Sequence, residues 1–180
     1  MSTPLEKWVK SVARTRRTRV RRPKMLFLSH AHADRRFLNR LVTVLRSCGI
    51  PYWYSKTHLI GAQQWHDEIG RALARCDWFL VVLSPKATKS EWVKRELVFA
   101  LNERRYRGKI VPVLLMSCNY NRLSWTLSEF QMVDFRNNFE EGCRKLLKTW
   151  GRRHPGLESG ARTKLLKINR GGGKVHPPHS

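Results

Sequence analysis

The sequence lacks the short glycine-rich motifs that mark common phosphate-binding and hydrolase folds. Neither G-x-G-x-x-G nor G-x-x-x-x-G-K-[ST] occurs in the 180 residues, so phosphate binding by a Rossmann or P-loop turn is not supported. The G-x-S-x-G elbow of α/β-hydrolases is missing as well. The chemistry of the chain has to come from other residues.

Cysteine and long apolar runs are also scarce. No pair among the four cysteines has C-x-x-C spacing, and no secretory apolar segment precedes them. This predicts reduced thiols in a cytoplasmic protein. No apolar run approaches about 18 residues, the length of a membrane-spanning helix, so we expect no transmembrane segment.

Acidic residues are few: 13 Asp and Glu stand against 36 Lys and Arg, a net charge of +23. Residues 1–24 hold nine Lys or Arg and one Glu, and residues 151–180 hold seven and one. This composition favours solvated, disordered ends. The alternative is weak, nonspecific binding of nucleic acid or an anionic membrane by the basic tails, and a tail-driven nucleic-acid-binding protein is one candidate function.

The middle of the chain alternates apolar runs with amphipathic helical patterns. The order βαβαβαβ, then a loop, a strand and a helix, predicts a parallel sheet with helices on both faces. We expect an α/β, flavodoxin-like, doubly wound domain of five strands over residues 24–150. Residues 1–23 then form a basic N-terminal extension with the spacing of a short helix, and 151–180 a basic, disordered tail. The predicted strands are 25–29, 52–54, 78–83, 109–115 and 131–135.

Local signals predict three details. Thr88 begins a T-x-x-E capping box, which places a helix start near Lys89, with Ser90 as the competing N-cap. Asp34 is a plausible N-cap for the helix after the first strand. Trp125 is the expected anchor of the irregular segment 116–129.

Glu96 is the residue most indicative of chemistry. It lies four residues after Trp92, so both side chains share one face of a helix that follows a parallel strand. That position is near the carboxyl edge of the sheet, where open α/β sheets bind ligands. A carboxylate there can stabilise a cationic sugar centre, with the tryptophan stacked on a flat ring. The alternative is a core Trp beside a solvated Glu that Lys94 or Arg95 neutralises.

Two further groups invite a binding hypothesis. His30-x-His32-x-Asp34 resembles half of a zinc site, but a site needs three or four ligands and only two are clear, so we expect no metal. Lys56 and His58 lie in the loop 55–61, which is longer than the usual two to six residues and follows a strand, so they can face a phosphate. The alternative is an ordinary connection.

Residues 24–150 resemble the TIR (Toll/interleukin-1 receptor) domain of the bacterial, NAD-cleaving kind. Five segments carry the resemblance, in the family's order and spacing: Phe27-Leu28-Ser29-His30 (the first box), Ile60-Gly61 with Trp65 (the BB loop and helix B), Val81-Val82-Leu83-Ser84-Pro85 (the third strand), Ser90-x-Trp92-x-x-x-Glu96-Leu97 (the helix of TIR NADases) and Ile110-Val111-Pro112-Val113 (the fourth strand).

The resemblance implies an NAD+ glycohydrolase or cyclase that releases nicotinamide and ADP-ribose or a cyclic ADP-ribose, with NAD+ as substrate and no cofactor. Glu96 takes the position of the catalytic glutamate. The substrate-binding positions are Trp92, Ser29, His30, Ala31, Ser84, Tyr54, Lys56 and Gly61.

The same resemblance implies activation by assembly, as a homo-oligomer or filament through TIR–TIR contacts, and a role in bacterial anti-phage defence signalling. A separate sensor or effector protein is an expected partner. The alternative is a non-catalytic TIR–TIR interaction module.

Overall fold

Five parallel strands form one sheet within the described part of this computed structural model, residues 22–54 and 62–158. The strands are β1 (Leu26–Ser29), β2 (Tyr52–Trp53), β3 (Trp78–Leu83), β4 (Ile110–Leu114) and β5 (Val133–Asp134). Their order is β2-β1-β3-β4-β5, and every neighbouring pair is parallel. The predicted doubly wound, flavodoxin-like α/β fold is confirmed.

Helices connect the strands. The α-helices are α1 (Arg35–Ser47), α2 (Ala62–Arg75), α3 (Glu91–Asn102), α4 (Phe139–Thr149) and α5 (Pro155–Glu158). Short 3-10 helices occupy His32–Asp34, Ala87–Lys89, Arg104–Tyr106, Tyr120–Arg122 and Trp125–Glu129. Among the described residues, no helix has the length and apolar composition to cross a bilayer.

Strand side chains alternate between two cores, one on each face of the sheet. Leu28 and Val82 pack with α1 and α4, on what we call the α1/α4 face. Phe27 and Val81 pack with α2 and α3, on the α2/α3 face. Successive side chains of a strand point to opposite faces, so an unbroken apolar run such as β3 supplies both cores. The same alternation determines the face of the sheet that each polar residue at a strand end reaches.

Helix α3 begins at Glu91, two residues later than the capping box predicts. The Ser90 side chain accepts a hydrogen bond from the Val93 amide at 3.4 Å and caps the helix. The Thr88 hydroxyl instead donates to the Pro85 carbonyl at 3.2 Å. The competing N-cap, Ser90, is therefore confirmed, and the start near Lys89 is wrong. The residues before Ser90 form a 3-10 turn, and Ser90 is the last extended residue.

The segment after β4 differs from its prediction. Trp125 is 72% exposed and anchors nothing, whereas Leu123 and Leu127 are buried and hold the segment to the α2/α3 face. These leucines are four residues apart on one side of the turn, and Trp125 lies between them on the other. The fifth strand is also shorter than predicted and pairs with β4 only at Val113 and Leu114.

Gly142 of α4 offers a test of core packing. A Cβ built there would lie 2.5 Å from the Phe135 ring, whereas at the exposed Gly70 of α2 nothing lies within 4 Å. We expect Gly142→Ala to destabilise the protein by about 1–3 kcal/mol through overpacking. Gly70→Ala, the matched control, is expected to stabilise it by about 0.5–1 kcal/mol. Urea unfolding measures both, and equal stabilisation by the two changes would contradict this packing.

Candidate active site

Two serines end the apolar strands at the centre of the sheet. Ser29 is the last residue of β1, and Ser84 directly follows β3, the neighbouring strand. Their exposed fractions are 1% and 0%. A buried hydroxyl needs a hydrogen-bond partner, so each serine points to a second polar group. In both cases that group is a carboxyl.

Ser29 contacts Glu96. The Ser29 hydroxyl donates to Glu96 Oε2 at 2.5 Å, joining the end of β1 to the second turn of α3. Val93 and Leu97, beside Glu96 on the helix, are fully buried on the α2/α3 face. Glu96 itself is only 9% exposed. The sequence thus builds a carboxyl into the wall of an apolar core, held by one serine.

The electrostatics of Glu96 follow from this burial. Removal from water raises the pKa of the Glu96 carboxyl from 4.5 to about 7, and the Ser29 hydrogen bond lowers it by less. Within the described ranges no Lys or Arg forms an ion pair with Glu96; the Arg95 guanidinium instead lies 5.3 Å from the centroid of the Trp92 ring. The neutralising role considered for Arg95 is not what the contacts show.

Ser84 contacts Asp34 on the other face of the sheet. The Ser84 hydroxyl donates to Asp34 Oδ2 at 2.6 Å and accepts from the Ala87 amide at 3.0 Å. Asp34 is 4% exposed, and burial raises its pKa while the Ser84 hydrogen bond lowers it. Asp34 occupies the predicted N-cap position of α1, but its side chain makes no capping hydrogen bond. Its carboxyl is already engaged with Ser84.

The two serine–carboxyl pairs therefore lie at one edge of the sheet but on opposite faces. Ser29 shares the α2/α3 face with Phe27, whereas Ser84 reaches the start of α1 on the α1/α4 face. The carboxyl ends of β1 and β3 both lie at this edge of the sheet, which is where open α/β sheets bind ligands. Glu96, whose pKa is raised to about 7, is the candidate functional group at this edge, since strongly shifted pKa values are typical of functional sites.

Comparison with known proteins assigns this chain to a family. A family model described as "TIR domain" matches residues 26–147, more than half of the chain. The chain belongs to the TIR domain family. The resemblance found in the sequence is thereby confirmed.

Similar proteins include one curated relative and two solved TIR structures. The relative is the NAD(+) hydrolase TcpA of Theionarchaea archaeon (strain DG-70-1), 34% identical over 91 residues, which are 49% of this chain and 27% of that protein. The TIR domain of the Toll-related receptor TRR-2 from Hydra magnipapillata has a TM-score of 0.52 at 21% identity, covering 62% of this chain and 84% of its own. The TIR domains of the activated Roq1 resistosome recognising the effector XopQ have a TM-score of 0.54 at 19% identity, covering 69% and 97%. Both structures support the TIR fold.

The remaining predicted site residues divide between the two faces of the TIR sheet. Ala31 is 6% exposed and packs on the α2/α3 face, where the half-buried Trp92 also packs. On the α1/α4 face, the His30 ring meets Tyr54 edge-on, with centroids 5.9 Å apart, and Tyr54 packs against that core. The carboxyl ends of the neighbouring strands β1 and β2 thus bring His30, Ala31 and Tyr54 to one edge of the sheet, whereas Trp92 is carried by α3.

Lys56 and Gly61 lie outside the described residues, as does the whole loop 55–61 with His58. Their predicted contacts with substrate stay predictions. In the described ranges no cluster of three His, Cys, Asp or Glu side chains has the geometry of a metal site.

The sequence singles out all four residues of the two serine–carboxyl pairs but does not predict that Ser29 contacts Glu96 or that Ser84 contacts Asp34. Ser29 and Glu96 are 67 residues apart, and Asp34 and Ser84 are 50 apart. The available signal was a serine at the end of each central apolar strand, which calls for a buried partner. Choosing that partner needed the packing of α3 and α1 against the sheet.

Proposed function

We propose that this TIR domain cleaves NAD+ at the bond between nicotinamide and ribose, with Glu96 as the catalytic carboxylate. One observation carries the proposal: a buried carboxyl, hydrogen-bonded to Ser29, lies at the carboxyl edge of the sheet. The similarity of 91 residues to a protein named NAD(+) hydrolase supports the choice of substrate. That match spans only 27% of the relative, so the activity of the relative is carried over to this chain as a proposal.

The proposed reaction suits a single carboxylate. The bond from ribose C1′ to the pyridinium nitrogen breaks, and nicotinamide leaves as a neutral molecule with the bonding electron pair. Because the leaving group is already cationic before cleavage, it needs no general acid. Positive charge develops on the ribose, and a nearby carboxylate stabilises it. Water then adds to C1′ and loses a proton, giving ADP-ribose; attack by an adenine nitrogen of the same molecule would give the cyclic product.

Burial makes Glu96 effective in this role. A carboxylate removed from water stabilises a developing cation more strongly, because the local dielectric is low. The carboxyl must first be ionised, and its pKa of about 7 means that roughly half of the molecules carry the charge at neutral pH. The Ser29 hydroxyl favours the ionised form by donating to Oε2. Ser29 is therefore a positioning residue in this proposal.

We assign substrate contacts to residues at the same edge. Trp92 would stack on a flat ring, and the chain after β1, with His30 and Ala31, would follow the ribose and phosphates. Ser84 and Tyr54, whose side chains lie on the α1/α4 face, would contact the substrate from that side. Lys56 and Gly61 complete the proposed set from the loop 55–61.

Assembly belongs to the proposal as well. We infer that TIR–TIR contacts between copies activate the enzyme and that it works in bacterial anti-phage signalling. The support for assembly is the likeness in fold to the TIR domains of a protein described as an activated resistosome. Titrating specific activity against protein concentration tests the inference: assembly predicts a steep rise, and a constant specific activity would contradict it.

A non-catalytic interaction module is the second candidate. The observation that favours it is that Glu96 is only 9% exposed and already hydrogen-bonded within its own chain. Such a module would co-purify with other TIR domains equally well as wild type and as Glu96→Ala, and neither form would release nicotinamide. Release by wild type alone decides for the enzyme.

The pH dependence of nicotinamide release tests the role of Ser29. Activity should rise with pH through about 7 as Glu96 ionises. Ser29→Ala removes a hydrogen bond that lowers the Glu96 pKa, so its midpoint should move upward by about 1 pH unit. Ser128→Ala, an exposed serine outside the site, is the matched control and should keep the wild-type midpoint. An unchanged or lower midpoint in Ser29→Ala would count against the assignment.

A further inference from the structure

A cavity of about 700 Å³ lies at the amino end of the sheet, between β3, β4, the segment before β5 and α4. Its position follows from the shortness of β5. That strand covers β4 only at Val113 and Leu114, so Ile110 and Val111 are left facing the cavity. Phe130 and Met132, which also pack against the core on the α2/α3 face, form another wall. The volume falls within the range of small-molecule sites, about 300–1,000 Å³.

Trp78 forms part of the cavity wall and carries an unpaired hydrogen-bond donor just behind it. It is the first residue of β3, is 6% exposed and forms part of the cavity lining. Its indole Nε1–H is buried and has no acceptor among the described residues. By contrast, the buried Tyr106 hydroxyl donates to the Leu73 carbonyl at 2.7 Å. A buried donor without an acceptor costs free energy. A ligand that supplies an acceptor would recover that cost once a small shift of the indole exposes its N–H to the cavity.

The neighbouring Trp150 does not line the cavity, but its indole N–H is also buried and unpaired among the described residues. Its ring packs edge-to-face on Trp78, with centroids 5.8 Å apart. Trp150 thus supports the Trp78 ring from behind, and the cavity has a rigid aromatic surface on this side. Rigid aromatic surfaces of this kind bind flat apolar groups.

The rim of the cavity carries more positive than negative side chains, which favours an anionic ligand. Lys145 and Lys148 of α4 line the cavity and are exposed, against one exposed acid, Glu129. Lys145 also pairs with Glu141 at 3.5 Å, which leaves Lys148 as the principal rim cation. The basic ends of the chain are poor occupants because they would meet like charge; residues 1–24 hold nine Lys or Arg against one Glu.

We propose that this cavity binds a small molecule with an apolar ring system and one anionic group. The ring system lies against the apolar walls, an acceptor atom takes the Trp78 Nε1–H after a small shift of the indole, and the anionic group lies toward Lys148. The site is separate from Glu96: Trp78 begins β3, whereas Ser84 follows its end, about 20 Å away for a strand of this length.

Binding of 8-anilinonaphthalene-1-sulfonate, an aromatic sulfonate, tests the proposal on the full chain. One saturable site is expected from the fluorescence titration. Met132→Trp, which fills the cavity from its half-buried wall, should weaken binding at least tenfold. Lys148→Gln should weaken it by up to about fivefold, and Glu129→Gln should tighten it by a smaller factor. Lys94→Gln on α3, an equal charge change away from the cavity, should leave the affinity unchanged.

The indole N–H resonance of Trp78, assigned with Trp78→Phe, gives an independent readout. It should shift downfield on saturation with the probe in wild type and stay in place in Met132→Trp. The proposal is overturned if that resonance does not move, or if Lys94→Gln and Lys148→Gln weaken binding equally. Retained affinity in Met132→Trp, with its native fold checked by circular dichroism, overturns it as well.

Discussion

Replacing Glu96 with glutamine is expected to lower kcat/KM for nicotinamide release by about 10³-fold or more. Glutamine keeps the shape of the side chain and can still accept a hydrogen bond from the Ser29 hydroxyl, which lies 2.5 Å from Oε2 in the wild type. What it loses is the negative charge that stabilises the developing ribose cation. The effect should appear in kcat, because that charge is needed in the transition state more than in the bound substrate.

Glu91→Gln is the matched control for this experiment. Glu91 lies in the first turn of the same helix, is exposed, and does not contact the Ser29–Glu96 pair. It makes the same chemical change and should retain wild-type activity within about twofold, as expected for an exposed charge. Equal activity of Glu96→Gln and Glu91→Gln would remove Glu96 from the catalytic role.

The same Glu96→Gln substitution is expected to stabilise the protein above pH 7. The pKa of Glu96 is about 7 in the folded chain, against 4.5 for an ordinary glutamate, so the folded state holds this proton more tightly than the unfolded state. Stability is therefore lost as pH rises from about 4.5 through 7, and the accumulated cost is about 3 kcal/mol. Glutamine stays neutral at every pH and avoids that cost.

Urea unfolding at two pH values measures this effect. At pH 8, Glu96→Gln should be more stable than wild type by about 2–3 kcal/mol, and at pH 4 the difference should vanish. Glu91→Gln, at an exposed position, should show no such dependence on pH. A Glu96→Gln protein that is less stable than wild type at pH 8 would mean that burial of the charge is not costly. Stabilisation together with lost activity is typical of a residue kept for function.

The sequence predicts the sheet well because its signals are local and repeated. The run 78–83 is apolar at every position, and each predicted strand is present in the order that a doubly wound fold requires. Glu96 and Trp92 also fall on the predicted helix, because their spacing of four fixes their common face. Family motifs then suffice to identify the TIR domain.

Competition between neighbouring residues and distant contacts explains what sequence reasoning missed. Thr88 and Ser90 both have the chemistry of a cap, and only the backbone conformation at Ser90 selects it. Asp34 has the chemistry of a cap too, but Ser84, 50 residues away, takes its carboxyl. Trp125 is outward because Leu123 and Leu127 fill the available core. None of these choices is encoded in a short window of sequence.

The most direct test of the proposed function is the stoichiometry of NAD+ cleavage by the wild-type chain. The 180-residue chain is incubated with NAD+ at pH 8, where Glu96 is mostly ionised, across a series of protein concentrations that reaches assembled samples. Chromatography then quantifies NAD+, nicotinamide and the ADP-ribosyl products. We predict one nicotinamide released and one linear or cyclic ADP-ribose formed for each NAD+ consumed. NAD+ that remains intact at every protein concentration would contradict the proposal.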